Sequence, residues 1–214
     1  MKFYHSTYSA ASVNIKKPED IVPSVFEFNK YIKYLSRIKW TKNLSDLPHQ
    51  YYDENDQEMG VYYLGTGVYC FNESDKELAE KYNKKHDTLL CLKTLENPKI
   101  FKMDSKPNRV FLYRFVIEGF LQLESLYSSE DEKVIIRELK DTLQACLLDN
   151  FVHSKHAAGV LIEIFKEVME DDITIDVVEN TFTIAPKGVV PYNVRYFCIK
   201  NLDIIEDISS SVII

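Results

Sequence analysis

The sequence predicts an α+β domain. Strand-like segments fall at both ends of the chain. Between them lie two long stretches whose apolar residues recur with helical period. The 214 residues are 45% hydrophobic and 13% aromatic, enough to bury a full core in one domain spanning 1–214.

Taken in order, residues 2–5 read as a first strand. A helical stretch follows at about 22–38, where apolar positions recur every three or four residues. Residues 43–60 are rich in Asp, Asn, Gln and Pro and read as a mobile excursion, so that 22–60 forms an inserted helix and loop. The segment 61–71 has two β-rich runs broken by Gly65 and Gly67 and enters a buried strand at 68–71. Ser74 is the expected cap of the next helix, with Glu77 completing a capping box, and that helix is expected to run to about Lys85. Residues 88–94 are a short apolar strand and 99–101 another, while 110–118 is compatible with strand or helix. Residues 130–148 and 157–169 are the main helices of the second half. Strands are expected at 173–178, 181–184 and 195–199, separated by the turns at Pro186-Lys-Gly and Val190-Pro. There is no internal repeat and no low-complexity tract.

The formal charge of −7 and pI near 5.3 argue against broad attraction to nucleic-acid backbone. One acid-poor stretch, 29–43, gathers Lys30, Lys33, Arg37, Lys39 and Lys42 with Tyr31, Tyr34 and Trp40. It reads as an amphipathic helix with a solvated basic face, or as a substrate-recruiting surface. The amino terminus lacks the pattern of a secretion signal and no segment is apolar enough to span a bilayer. Cys70, Cys91, Cys146 and Cys198 are far apart among apolar neighbours, which suits reduced thiols. A cytoplasmic protein without membrane contact is expected.

Three pieces carry candidate chemistry: Phe3-Tyr-His-Ser-Thr, Gly65-Thr-Gly-Val-Tyr-Cys-Phe with its following helix, and Tyr192-Asn-Val-Arg-Tyr-Phe-Cys-Ile. Each alone has a bland reading, a structural histidine or a glycine turn. In this order the three resemble the ADP-ribosyltransferase superfamily of the diphtheria-toxin and poly(ADP-ribose) polymerase type, most of all its small bacterial toxin-like members. The resemblance covers about a third of the chain and none of the middle helices. It implies a split, bent β-sheet core flanked by helices, with NAD as substrate between the sheets and no metal.

Position by position, the resemblance assigns His5 to the adenosine-side ribose of NAD and the Ser6 backbone to the nicotinamide amide. It assigns Tyr69 to stacking on the nicotinamide ring and Tyr82 to the opposite ring face. Tyr4, Thr7, Gly67 and Ser74 fall on the same NAD-binding elements. A flat aromatic cation between two aromatic faces is well held, and glycines allow close approach of backbone to ligand. The catalytic set implied is His5, Tyr69 and Arg195, the last at the position where the family carries Glu, Gln or Asp. A guanidinium accepts no hydrogen bond and places positive charge near a developing cation. Either Asn193, Glu179 or Glu163 reaches the ribose while Arg195 meets a pyrophosphate or the target, or the protein binds NAD or an ADP-ribosylated product without turnover, or the register shifts by a residue or two.

The function implied is an NAD-dependent ADP-ribosyltransferase, a bacterial toxin or defence effector. Its partners would be a macromolecular acceptor, protein ahead of nucleic acid, and an antitoxin. The alternatives are an inactive NAD-fold binding protein and an NAD glycohydrolase. His153-Ser-Lys-His156 has i, i+3 spacing but departs from a His-Glu-x-x-His metal pattern and reads as a helix junction or solvent contact. Glu130-Asp-Glu and Glu170-Asp-Asp read as a helix start and a solvated helix end. No phosphate-binding Gly-x-x-x-x-Gly-Lys loop and no Gly-x-Ser-x-Gly elbow is present.

Overall fold

The computed structural model describes residues 1–22, 25–41, 47–152, 154–169, 172–184 and 190–213. In chain order the elements are β1 (Lys2–Thr7), α1 (Ser9–Ser12), a 3-10 turn at Pro18–Asp20, α2 (Phe28–Arg37), β2 (Gln50–Tyr52), β3 (Glu58–Gly60) and β4 (Val68–Asn72). A 3-10 turn at Glu73–Asp75 leads into α3 (Lys76–Lys81), then β5 (Thr88–Thr94), β6 (Ile100–Lys102), α4 (Lys106–Ser125), α5 (Glu130–Leu148) and α6 (Lys155–Val168). The chain closes with β7 (Val177–Ile184), β8 (Tyr192–Ile199), a 3-10 turn at Leu202–Ile204 and β9 (Ile205–Val212).

The result is a mixed α/β architecture. Seven strands form one sheet in the order β6-β7-β8-β4-β1-β5-β9, and β2 and β3 pair as a separate hairpin. Every neighbouring pair in the large sheet is antiparallel except β6 and β7, which are parallel. Alternation along the strands divides the core. On β8, Val194, Tyr196 and Cys198 join the large cluster built with α4, α5 and α6. Phe197 and Ile199 join a smaller one with Phe3, Val68, Cys70 and Leu92 on the other face.

Two separate sheets were expected, and the described strands differ from that in one joint. β4 serves both halves: Val68, Tyr69 and Cys70 pair with β8, and only Phe71 and Asn72 pair with β1. On its other side β1 pairs with β5 along its whole length, from Lys2↔Lys93 to Thr7↔Thr88. β1 is therefore stitched to one neighbour and splayed from the other.

Several local expectations are corrected. The ambiguous 110–118 lies within α4, where Leu112, Phe115, Val116, Phe120 and Leu123 recur at helical spacing as the buried stripe. Residues 173–176 are not strand, and the two strands expected before β8 are one, β7. Ser74 does not cap α3. The N-cap of α3 is Asp75, without a side-chain cap bond, and the side-chain cap belongs to the preceding 3-10 turn, where Asn72 accepts from the Asp75 N–H at 3.1 Å and from the Ser74 hydroxyl at 2.8 Å. α3 stops at Lys81 rather than Lys85, and Asn83 turns the chain by accepting from the Lys85 N–H at 3.1 Å. The helix expected from 22 begins at Phe28, after an extended Glu27.

The 43–60 excursion contains the β2–β3 hairpin, closed by Asp53 accepting from the Asn55 and Gln57 amides. It is anchored by Tyr51, which is wholly buried and whose hydroxyl accepts from the Glu27 N–H at 2.9 Å. β9 is a strand the sequence pattern does not announce, since Ile205–Val212 is Ser-rich and mostly exposed. Lys42, Pro186-Lys-Gly, His153, Glu170 and Asp171 lie outside the described residues. Among the described residues no helix is long and apolar enough to cross a membrane.

Candidate functional site

The splay between β1 and β4 is held open by a side chain. Continuing the register from Tyr4↔Phe71 would bring Ser6 opposite Tyr69. Instead the Tyr69 carbonyl accepts from His5 Nδ1 at 2.6 Å. The Met1 and Thr7 carbonyls both accept from the β5 side. The odd-numbered residues of β1 thus direct their backbone groups to β5, and Tyr4 and Ser6 direct theirs to β4. Pairing to β4 ends at Tyr4, and by alternation Ser6 is the next residue of β1 whose backbone groups are directed to the β4 side. Because a carbonyl can only accept, His5 carries its proton on Nδ1 and presents Nε2 as an acceptor. Burial lowers the His5 pKa below its ordinary value and keeps the ring neutral.

This gap opens into a cleft of about 930 Å³ lined by His5, Gly67, Tyr69 and Tyr82 together with Val22, His49, Gln50, Tyr62, Tyr63, Asn83, His86 and His156. Four of the residues assigned to NAD from sequence, His5, Gly67, Tyr69 and Tyr82, meet here. The lining holds four of the chain's five histidines. Among the described residues the lining includes no carboxylate, ammonium or guanidinium.

Tyr69 is fixed as a platform. Its hydroxyl accepts from the Leu64 N–H at 2.5 Å and donates to the Gly65 carbonyl at 2.9 Å. Burial raises the phenol well above its usual range, so it stays protonated. The Tyr62 ring stands edge-on to it at 6.0 Å. Tyr82 is half exposed and rests edge-on against Phe71 and Tyr196. Gly67 has φ +132° and its missing Cβ would lie 2.4 Å from the Ile199 carbonyl, so the turn can lie against β8 only as glycine.

The glycine turn is clamped from behind by α6 and by the residue after β8. Glu163 accepts from the Thr66 N–H at 2.8 Å and from the Thr66 hydroxyl at 3.0 Å. Lys200 donates to the Thr66 carbonyl at 2.6 Å and forms an ion pair with Glu163. Both side chains are almost wholly buried, 1% and 7% exposed. A Cβ on Gly65 would overlap Glu163 Oε1, so the carboxylate occupies the space the glycine leaves. Glu163 has both oxygens engaged and does not line the cleft.

Two histidines complete the wall. His86 Nδ1 lies 2.9 Å from the Ser6 hydroxyl and its Nε2 lies 3.1 Å from the Asn83 amide nitrogen. The amide donates, so His86 donates to Ser6. His156 Nδ1 donates to the Val61 carbonyl at 3.2 Å and the ring stacks on His49, centroids 4.1 Å apart. Burial and the neighbouring His49 push His156 down to about 4.

The remaining predicted residues lie elsewhere. Tyr4 is buried on the helix side beneath Lys76, and Thr7 binds Asp87 through its carbonyl. Arg195 and Ser74 stand together at a separate depression of about 350 Å³, with Lys2, Lys102 and Glu179. Arg195 donates to Asp75 at 3.1 Å and to Ser74 at 3.2 Å. The reason is alternation: Tyr196 points toward Tyr63 and Tyr82, and Arg195 one residue earlier points to the opposite face. The Glu179 carboxylate pairs with Lys102 in that depression, and Asn193 accepts from Thr183. Neither reaches the cleft.

Sequence reading missed His49, His86, Tyr62 and Tyr63, and assigned His156 to a helix junction. The available signal was the clustering of Tyr62-Tyr63 beside Gly65 and the His156 three residues before Gly159, where a Cβ would strike the Tyr62 carbonyl. Among the described residues no group of three His, Cys, Asp or Glu could hold a metal, and the four cysteines are free thiols. No protein-family model, curated protein or solved structure matches the chain.

Proposed function

We propose that this chain is an NAD-dependent ADP-ribosyltransferase acting on a macromolecular acceptor, as a cytoplasmic toxin or defence effector with a cognate antitoxin. A single observation carries the reading: His5, Gly67, Tyr69 and Tyr82 converge on one cleft where β1 leaves β4, with Ser6 beside it on β1. These groups suit NAD. Tyr69 offers an aromatic face whose orientation is fixed by two hydrogen bonds, and Tyr82 a second, exposed one. The backbone N–H and C=O of Ser6, on the β1 edge that β4 no longer pairs, match the acceptor and donor of a carboxamide. The His5 Nε2 can accept from a ribose hydroxyl. Gripping the ring while strain develops against the ribose favours the cation-like transition state over the ground state. The toxin, antitoxin and cytoplasmic assignments rest on the sequence resemblance, and the preference for a protein acceptor on the net charge of −7.

A second reading, an NAD-binding module without turnover, is favoured by the absence of a carboxylate from the described cleft lining. One experiment separates them. Purified protein and its Tyr69→Ala variant are given labelled NAD with a cell lysate, and nicotinamide release and label transfer are followed. The transferase reading expects release and labelling that Tyr69→Ala lowers by at least about 100-fold. Binding without release supports the module, and no binding by wild type overturns both.

A further inference from the structure

His156 has no assigned role in holding NAD, yet its geometry is that of a prepared proton acceptor. Its Nδ1 is committed to the Val61 carbonyl, which leaves Nε2 as the lone-pair nitrogen of a ring that lines the cleft. The ring is held on both sides, stacked on His49 at 19° between planes and edge-on to Tyr63 at 4.8 Å. The groups facing it are His49 from the segment before β2, Tyr63 from the glycine loop, and Lys155 beside it on α6, whose Nζ lies over the Tyr63 ring. Burial, His49 and Lys155 all disfavour the imidazolium. The ring consequently titrates where an ordinary carboxylate does, in a cleft whose described lining has none.

Resting on the NAD-cleft reading, we propose that His156 Nε2 is the base that takes the proton from a neutral hydroxyl acceptor. In that step the bond from C1′ to the nicotinamide nitrogen breaks and its electron pair leaves with neutral nicotinamide. An oxygen lone pair of the acceptor forms the new bond to C1′, and the hydroxyl proton passes to His156 Nε2 and then to solvent. No oxidant or reductant is needed. A base this weak suffices because the electrophile is cation-like and the proton becomes acidic as the bond forms. The acceptor class follows from the same surroundings: a guanidinium would find no carboxylate among the described lining residues and would meet Lys155 beside His156, whereas an uncharged O–H meets Nε2.

The test uses the full chain with NAD, and with methanol and water as the acceptor probes, in wild type, His156→Gln and His156→Glu. Glutamine can still donate to the Val61 carbonyl but is no base; glutamate is a base but an ionised carboxylate cannot donate. The proposal expects His156→Gln to bind NAD within about threefold of wild type and to lose about 100-fold in both methanolysis and hydrolysis, with His156→Glu recovering most of the rate. A purely structural role predicts the reverse order, and that result, or two variants equal to wild type, overturns the base. The wild-type rate supplies a second measurement: it should be flat from pH 8 to 5 and fall to half near pH 4. A midpoint near 6.5 overturns the assignment. Wild type that binds NAD without releasing nicotinamide overturns the base and leaves the cleft, whereas wild type that does not bind NAD overturns the reading beneath it.

Discussion

Two cations five residues apart, Arg195 on β8 and Lys200 just beyond it, end up on opposite sides of the sheet with opposite physical roles. Lys200 is 1% exposed, paired with Glu163, and fixes the glycine turn that forms one wall of the cleft. Arg195 is 39% exposed and pairs with Asp75 at a shallow depression away from the cleft. Strand alternation and distance from solvent, rather than charge, separate them. The buried pair is costly to disrupt because removing one partner strands a charge in low dielectric. The exposed pair exchanges little more than water contacts.

Breaking the buried side gives the largest effect. Lys200→Met leaves the Glu163 carboxylate without its cation and should cost about 3–5 kcal/mol in urea unfolding. Lys200→Met combined with Glu163→Gln should recover much of that loss, because no orphan charge remains. If the double variant is as unstable as the single, the pair is not what holds the turn.

The next effect sharpens the role of the wedge. His5→Phe keeps ring volume but removes the donor to the Tyr69 carbonyl and the Nε2 acceptor. It should destabilise the fold by about 1–3 kcal/mol and weaken NAD binding about 10-fold, roughly 1.4 kcal/mol. Unchanged NAD affinity, measured calorimetrically, would detach His5 from the ligand.

A smaller, continuous effect comes with pH. His5 and His156 titrate below their ordinary value in the folded protein, while the unfolded chain takes up protons near 6.5. The unfolded state therefore binds more protons in that window, and stability must fall as pH drops from about 6.5 toward 4, the value for His156. Melting temperatures from pH 8 to 4.5 should decline below 6.5, and less steeply in His156→Gln. The smallest effect belongs to the exposed side: Arg195→Ala should cost no more than about 1 kcal/mol and leave NAD turnover unchanged. A large loss of turnover would return Arg195 to the catalytic group.

Much of the architecture was legible because it is written locally. Val68 to Phe71, residues 88–94 and the two long helices carry their own periodicity, and Ser129 caps α5 where the acidic run begins. α4 was ambiguous because apolar Val110, Phe111, Ile117 and Leu121 remain on its exposed side and blur the period. β9 was hidden because an edge strand in which Ser209, Ser210 and Ser211 are all exposed has no apolar alternation. In the candidate site, His5, Gly67, Tyr69 and Tyr82 could be singled out because they sit on or beside the motif strands and the helix after the second. His49, His86 and His156 reach the cleft through contacts between segments tens of residues apart, which no local pattern encodes. Arg195 was grouped with the cleft by its place in the motif, but strand alternation sends it to the face opposite Tyr196, at the depression with Ser74.

The central claim is that ligand enters the gap between β1 and β4. It is tested most directly by titrating isotope-labelled protein with NAD and following backbone amide resonances. Shifts should concentrate at Ser6, Gly67 and Tyr69, with Ser74 and Arg195 unmoved. Shifts centred on Ser74 and Arg195, or none at saturating NAD, would contradict it.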